Sequence, residues 1–237
     1  MLSPLVKKIF STEDLALHDV FTANRKVYTF LNPVSYLSAL DNKDLFERFD
    51  GIFADGSILV AAIKLVYGKS VTRRSFDMTS LAPELLSYAE KHGKSVYIVA
   101  SQQKQVEKAV SIFKKRYPKL LVVGYRNGYF ASEKEQNEEA RHIVGVNPDF
   151  LIVGMGALMQ ERFLLKVKDS GYRGIGFTCG GFIHQTAKDE IDYYPACIDR
   201  MNLRFAYRMY KEKHTRKRYL QAAFQFPVRF IAERFFG

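Results

Sequence analysis

Tryptophan is absent from the 237-residue chain, and only two cysteines occur, Cys179 and Cys197. Two thiols build neither a disulfide framework nor a four-thiolate metal site, a usage that fits a reducing cytoplasm. Long apolar runs are missing as well. The longest, Ile58–Ile63, falls far short of the ~20 residues that span a bilayer. No apolar stretch of signal-peptide length follows Lys7 and Lys8. The expectation is a chain neither secreted nor transmembrane. The five histidines (His18, His92, His142, His184, His214) lack metal-ligand spacing, and Asp-x-Asp, a common signature of a metal-bound nucleotide diphosphate, occurs nowhere. What is present is an ordinary globular composition, 47% apolar and 26% charged, which excludes a disordered chain. The length fits one sizeable domain, or one domain plus an appendage.

Acidic residues are scarce at one end of the chain. From Ile198 to Gly237 ten Lys and Arg stand against three acids, so +7 of the formal net charge of +11 falls in this stretch. Arg200, Arg204, Arg208 and Lys211 recur at helical spacing and line one face. Leu220, Phe224, Phe226, Phe230, Ile231, Phe235 and Phe236 follow, interleaved with Arg229 and Arg234. Two readings stand side by side. One is a helical pair packed on the core with a solvated basic face; the other is a surface for anionic lipid headgroups or phosphates. A basic stripe is also the electrostatic footprint of nucleic-acid binding. No recognition-helix, zinc-finger or RNA-binding signature accompanies it, so no nucleic acid is expected as partner.

Residues 25–195 alternate short β-rich runs with helical patterns. Strands are predicted near Lys26–Leu31, Gly51–Ala54, Ser95–Ala100, Leu120–Gly124, Phe150–Gly154 and Gly174–Thr178. Helices are predicted near Val34–Phe49, Ser57–Val66, Thr79–Lys91, Gln103–Arg116, Glu133–Val144 and Met159–Lys168. Apolar runs such as VYIVA, LLVVG and FLIVG, without alternation, read as strands covered on both faces. The fold class expected is therefore α/β, a largely parallel sheet sandwiched by helices. A compositional break near Pro195 divides the chain into an α/β core, 1–195, and a basic amphipathic helical appendage, 196–237.

In such sheets ligands bind beyond the carboxyl ends of the strands. The residues there are Asn32-Pro33, Ala54-Asp55-Gly56, Ala100-Ser101, Arg126-Asn127-Gly128, Gly154-Met155-Gly156-Ala157-Leu158-Met159-Gln160-Glu161 and Thr178-Cys179-Gly180-Gly181. A Gly-x-Gly turn entering a helix offers backbone N–H groups to a phosphate, though it lacks the third glycine of a dinucleotide fingerprint. Gln160 and Glu161 read either as ligand hydrogen-bonders or as a helix-start preference for acids. Asp55 reads either as a turn residue or as a general base, lying between a buried strand and a glycine.

Taken together, Phe53-Ala54-Asp55-Gly56, the Val153–Glu161 turn, Cys179-Gly180-Gly181-Phe182 and Leu203–Arg208 resemble the WecG/TagA/CpsF family of bacterial glycosyltransferases, in order from about Val27 to Phe230. The resemblance implies an inverting, metal-independent enzyme with no cofactor, for which a UDP-sugar is the donor substrate. The acceptor would be a polyprenyl-diphosphate-linked saccharide. The setting would be the cytoplasmic face of the bacterial inner membrane, where a peripheral protein meets an anionic surface during polysaccharide assembly, with self-association into a homo-oligomer compatible with an exposed apolar tail. By position Asp55 matches the family's base and Gln160 its active-site glutamine. Asn32, Ala100, Ser101, Asn127, Gly128, Gly154, Gly156, Ala157 and Glu161 fall where the donor would lie. Arg73 or Arg74, with Arg204, Arg208, Arg216 and Arg218, would meet the diphosphate. The chain departs from the family pattern at Phe30 (often Thr, with Thr29 one place away), at Leu158 (often Pro) and at Ala100-Ser101 (usually Gly-Gly). Rival classes are a non-catalytic nucleotide-binding or membrane-scaffold protein and a nucleic-acid binder. Turnover of UDP-sugar separates the first, and salt-dependent retention on DNA or RNA the second.

Overall fold

A computed structural model of the chain describes residues 2–13, 16–189, 204–211 and 216–236; for Asp189, Arg204, Phe205, Arg208 and Phe236 it describes the backbone. Cys197, Arg200, Leu203, Lys213 and His214 lie outside the described residues. The strands are β1 (Lys26–Leu31), β2 (Gly51–Ala54), β3 (Ser95–Ala100), β4 (Leu121–Arg126), β5 (Phe150–Gly154) and β6 (Ile175–Thr178). They form one parallel sheet in the order β2-β1-β6-β5-β3-β4. The first helices are α1 (Pro4–Lys8), α2 (Leu17–Thr22), α3 (Pro33–Leu40), α4 (Lys43–Glu47), α5 (Ser57–Tyr67) and α6 (Leu81–Lys91). They are followed by α7 (Gln103–Arg116), α8 (Glu133–Val146), α9 (Met159–Asp169), α10 (Phe182–Asp189), α11 (Arg204–Lys211) and α12 (Arg216–Phe236).

The described residues fall into two compact units. One comprises Ala16–Thr29 and Phe76–Tyr193 and carries most of the sheet. Here the β5 run FLIVG is buried throughout, as expected of a strand covered on both faces. β4 differs from the expectation. It is an edge strand in which Leu121, Val123 and Tyr125 are exposed, so its apolar run reflects one covered face only. The core is aromatic-rich: Phe21 meets Phe150 and Phe177 edge-on at 6.1 and 6.5 Å, and Phe113 stacks on Phe182 at 5.7 Å.

The other unit comprises Met1–Leu15, Phe30–Ser75 and Tyr194–Gly237, within the described residues. Bridges from Ile9 to Ile52 and from Arg73 to Ala54 lie along β2. The helix expected over Val34–Phe49 is two, α3 and α4, because Asn42 accepts no helical continuation: its Nδ2 donates back to the Ser38 carbonyl at 2.9 Å. α12 packs Ala222, Phe226 and Phe230 inward, where Tyr36 of α3 meets Phe226 and Phe230 at 5.8 and 5.1 Å and Tyr67 of α5 meets Phe230 at 5.3 Å. Full burial of each Phe contributes about 1.5–3 kcal/mol. A polar contact fixes the register: the Tyr36 hydroxyl donates to Glu233 Oε2 at 2.6 Å, with the Lys43 ammonium 3.8 Å from Oε1. Burial, with Glu233 beside it, drives the Tyr36 phenol far above its ordinary value, so it stays a donor. The opposite side of α12 is uncovered. Leu220, Phe224, Val228, Ile231 and Phe235 recur at helical spacing and are all exposed, Phe224 to 77% and Phe235 to 72%.

Candidate active site

In the Phe76–Tyr193 unit the ends of three strands are tied together by backbone hydrogen bonds. Ser101, directly after β3, has a left-handed φ of 55°. Its N–H donates to the Gly154 carbonyl at 3.1 Å, and its own carbonyl accepts from Gly128 N–H at 2.9 Å. Ala100, Ser101, Gly128 and Gly154, all expected on the donor side, are thus brought together. Gly154 is required by close approach: a Cβ there would sit 2.6 Å from Cys179 Sγ and 2.8 Å from the Gly180 carbonyl. Asn127 is held by its Oδ1 accepting from Tyr129 N–H at 2.9 Å and by its N–H donating to Gln103 Oε1 at 3.1 Å. A polar relay backs this edge. Ser101 Oγ meets Gln105 Oε1, and Gln105 Nε2 donates to His184 Nδ1 at 2.8 Å, which leaves the imidazole proton on Nε2.

After β5 the chain turns through Gly156 (φ 87°) and Leu158 (φ 68°) into α9. Gly156 is exposed, and among the described residues nothing accepts the N–H of Gly156 or Ala157. Positive φ at Leu158 costs on the order of 1–3 kcal/mol and persists where its surroundings fix it. The fixing group is Glu161, whose Oε2 accepts the Leu158 N–H at 2.7 Å. Its Oε1 accepts from Gln160 Nε2 at 2.8 Å and from Thr29 Oγ1 at 3.1 Å. Thr29 in turn lies 2.8 Å from Thr178 Oγ1. Since the Thr29 proton goes to Glu161, Thr178 donates to Thr29. Gln160 Oε1 accepts from Gly180 N–H at 3.0 Å, so both ends of its amide are assigned by their partners. Burial pushes the Glu161 carboxyl up, against the pull of its donors. Cys179 is buried, which pushes its thiol well up and leaves it inert.

In the other unit Asn32 and Asp55 follow β1 and β2. Asn32 caps α3, its Oδ1 accepting from Val34 N–H and Ser35 N–H at 3.0 and 3.1 Å, with Pro33 at the first helical position. The Asp55 N–H donates to the Leu31 carbonyl at 2.7 Å, and the Arg74 N–H donates to the Ala54 carbonyl at 2.9 Å. Arg73 and Arg74 are therefore delivered beside the residue that precedes Asp55, and both arginines and Asp55 are half-buried. Further along the chain, Arg216 Nε donates to the Met209 carbonyl at 2.8 Å, closing the last turn of α11, while Arg218 is exposed. Arg204 and Arg208 occupy α11, where the backbone is what is described.

Some of this escaped sequence reasoning. Thr29 and Thr178 are buried hydroxyls in apolar strands, and Gln105 and His184 sit on helices. The signal for Thr29 is a lone hydroxyl inside the run KVYTFL, and Thr178 stands among the strand-end residues; nothing in sequence marks Gln105 or His184. Among the described residues no three of His, Cys, Asp and Glu converge so as to hold a metal ion.

In a parallel sheet the strand ends, where the Gly154–Glu161 turn and the fixed Gln160 carboxamide lie, are where ligands bind. The chain belongs to the WecG/TagA/CpsF family of glycosyl transferases, whose family pattern matches residues 10–237. It is 33% identical, over 87% of its length and 86% of the relative's, to the UDP-Gal:alpha-D-GlcNAc-diphosphoundecaprenol beta-1,4-galactosyltransferase of Shigella boydii. It is also 24% identical, over 77% of its length and 70% of the relative's, to the N-acetylglucosaminyldiphosphoundecaprenol N-acetyl-beta-D-mannosaminyltransferase of Bacillus subtilis. The like-named enzyme of Bacillus spizizenii is 25% identical over 75% and 68% of the two lengths. The chain is a glycosyltransferase.

Proposed function

We propose that the protein moves a hexose from a UDP-sugar to a hydroxyl of a saccharide carried on polyprenyl diphosphate, with inversion and without a metal, in surface polysaccharide assembly. The acceptor to expect is N-acetylglucosamine on diphosphoundecaprenol, since relatives that differ in their donor share it in their names. The observation that carries the reading is the Gly154–Glu161 turn, where among the described residues nothing accepts the Gly156 and Ala157 N–H groups and Gln160 is held in one orientation.

Asp55 takes the proton of the acceptor hydroxyl as that oxygen attacks the anomeric carbon. The anomeric C–O bond to the β-phosphate breaks, and its electron pair leaves with UDP. One positioned base contributes typically ~10²–10⁴-fold. The growing charge on the diphosphate is met by backbone N–H groups at the turn and by arginines, whose planar fork suits phosphate oxygens. Arg73 or Arg74 and the arginines of α11 and α12 are assigned that part.

No described helix is long and apolar enough to cross a membrane. The exposed stripe of α12, on a helix whose first turn holds the exposed Lys217 and Arg218, supports peripheral docking on anionic lipid at the cytoplasmic face. The same stripe is open to self-association.

The test is turnover of UDP-galactose, and of UDP-N-acetylmannosamine beside it, with a short-chain diphosphate-linked N-acetylglucosamine in the presence of chelator. Asp55→Asn is expected to keep UDP binding, read by thermal shift, and to lose turnover. Unchanged turnover in that variant removes Asp55 from the base role, and dependence on an added divalent ion removes the metal-free mechanism.

A further inference from the structure

Glu161 stands directly beside the active-site glutamine, yet its surroundings differ from those of a ligand-binding group. It is 2% exposed, and both carboxylate oxygens are taken by three internal donors: the Leu158 N–H, the Thr29 hydroxyl and the Gln160 amide. Two of these neighbours, the Leu158 N–H and the Gln160 amide nitrogen, can only donate, one to each carboxylate oxygen, so the site calls for an acceptor at both positions. A carboxyl group offers two acceptor oxygens, where a carboxamide of the same length offers one.

We infer that Glu161 is a positioning residue: it does not touch the sugar nucleotide but sets the Gln160 amide in the orientation the reaction uses. This rests on the reading of Gln160 as an active-site residue.

The mechanism is a polarity assignment. Gln160 has two orientations of nearly equal shape, related by exchange of Oε1 and Nε2. Glu161 accepts from Nε2 on one side, and the Gly180 N–H donates to Oε1 on the other. The exchanged orientation would set donor against donor at Gly180 and acceptor against acceptor at Glu161. The two partners together therefore select one orientation. Thr178 and Thr29 extend the lock across β6 and β1, because a chain of hydrogen bonds links Thr178, Thr29 and Glu161. The second Gln160 Nε2–H then keeps a fixed direction without a loop to hold it.

Glu161→Gln preserves the shape and breaks the polarity. Whichever carboxylate position becomes NH₂ meets an obligate donor, either the Leu158 N–H or the Gln160 amide nitrogen. The test is a double-mutant cycle with Gln160→Ala, reading kcat, the KM for the donor and the melting temperature. Glu161→Gln in the parent is expected to lower kcat by about 100-fold, the scale of a small misplacement at a reacting centre, with KM for the donor moving far less. In the Gln160→Ala background the same change is expected to alter kcat by less than about 2-fold, because the group it orients is gone. An equal loss in both backgrounds overturns the inference and leaves Glu161 a general structural residue. Normal turnover by Gln160→Ala alone instead overturns the reading of Gln160, a separate result. If Glu161→Gln does not fold, Glu161→Asp enters the same cycle, since its shortened carboxylate withdraws from Gln160 while remaining an acceptor.

Discussion

The turn around Gln160 and the helix α12 handle apolar and polar surface in opposite ways. Around Gln160 and Glu161 the side chains are buried, and each carboxylate and carboxamide oxygen has a named donor. Along α12 one side is buried against α3 and α5, while five large apolar residues on the other face solvent. A site that directs chemistry needs its hydrogen bonds saturated, since an unpaired buried polar group is costly and an unfixed one points nowhere. A surface that meets a partner needs apolar area left over. The two regions show a saturated polar cluster and an exposed apolar face built from the same alphabet.

Matched substitutions can break this contrast. The largest effect is expected at Phe230: truncation to Ala should cost about 3–5 kcal/mol by chemical denaturation, because the cavity would open between Tyr36, Tyr67 and Phe226. Gly154→Ala comes next, at about 1–3 kcal/mol, since the added methyl group meets Cys179 Sγ and the Gly180 carbonyl. Its donor affinity should fall as well, measured by calorimetry with UDP. Asp41→Asn, which removes the bidentate contact from Arg229 to α3's end, is expected to cost only about 0.2–1 kcal/mol because the pair is exposed. Arg229 lowers the Asp41 carboxyl from its ordinary value, so that contribution is present above the unfolded carboxylate range and lost as pH falls through the folded value. Melting curves of parent and Asp41→Asn should therefore converge in acid; a gap that widens there would contradict the pairing. The smallest effect on folding is expected for Phe224→Ser, within about 0.5 kcal/mol of the parent, because that ring is exposed. Its cost should appear elsewhere, as weaker co-sedimentation with anionic vesicles. A Phe224 variant that melts as early as the Phe230 one would show the outer face to be covered.

The strand positions were legible because β-branched and aromatic runs recur between helical patterns; β3 and β5 run as expected, Ser95–Ala100 and Phe150–Gly154. α1 and α2 were not legible, being five and six residues long, too short to display a helical period. The edge position of β4 was hidden too, since LLVVG reads the same whether one face or both are covered. At the site, the Gly-x-Gly turn and Gln160 stand out by position. Whether Glu161 faces a ligand or the interior could not be read, because an acid in the first turn of a helix is favoured for either reason. Arg216 shows the same limit: its charge suggests a phosphate, and its guanidinium closes the end of α11.

By itself the sequence determined the alternation of strand and helix, the parallel sheet that follows from it, the family, and the concentration of positive charge toward one end. These depend on local periodicity and composition, which are written along the chain. Only the tertiary structure decided which polar atoms pair. Thr29 and Glu161 are 132 residues apart, yet their hydrogen bond fixes the glutamine beside them. It also decided which face of α12 is covered, because the same apolar spacing appears on both sides and burial is settled by what α3 and α5 bring against it.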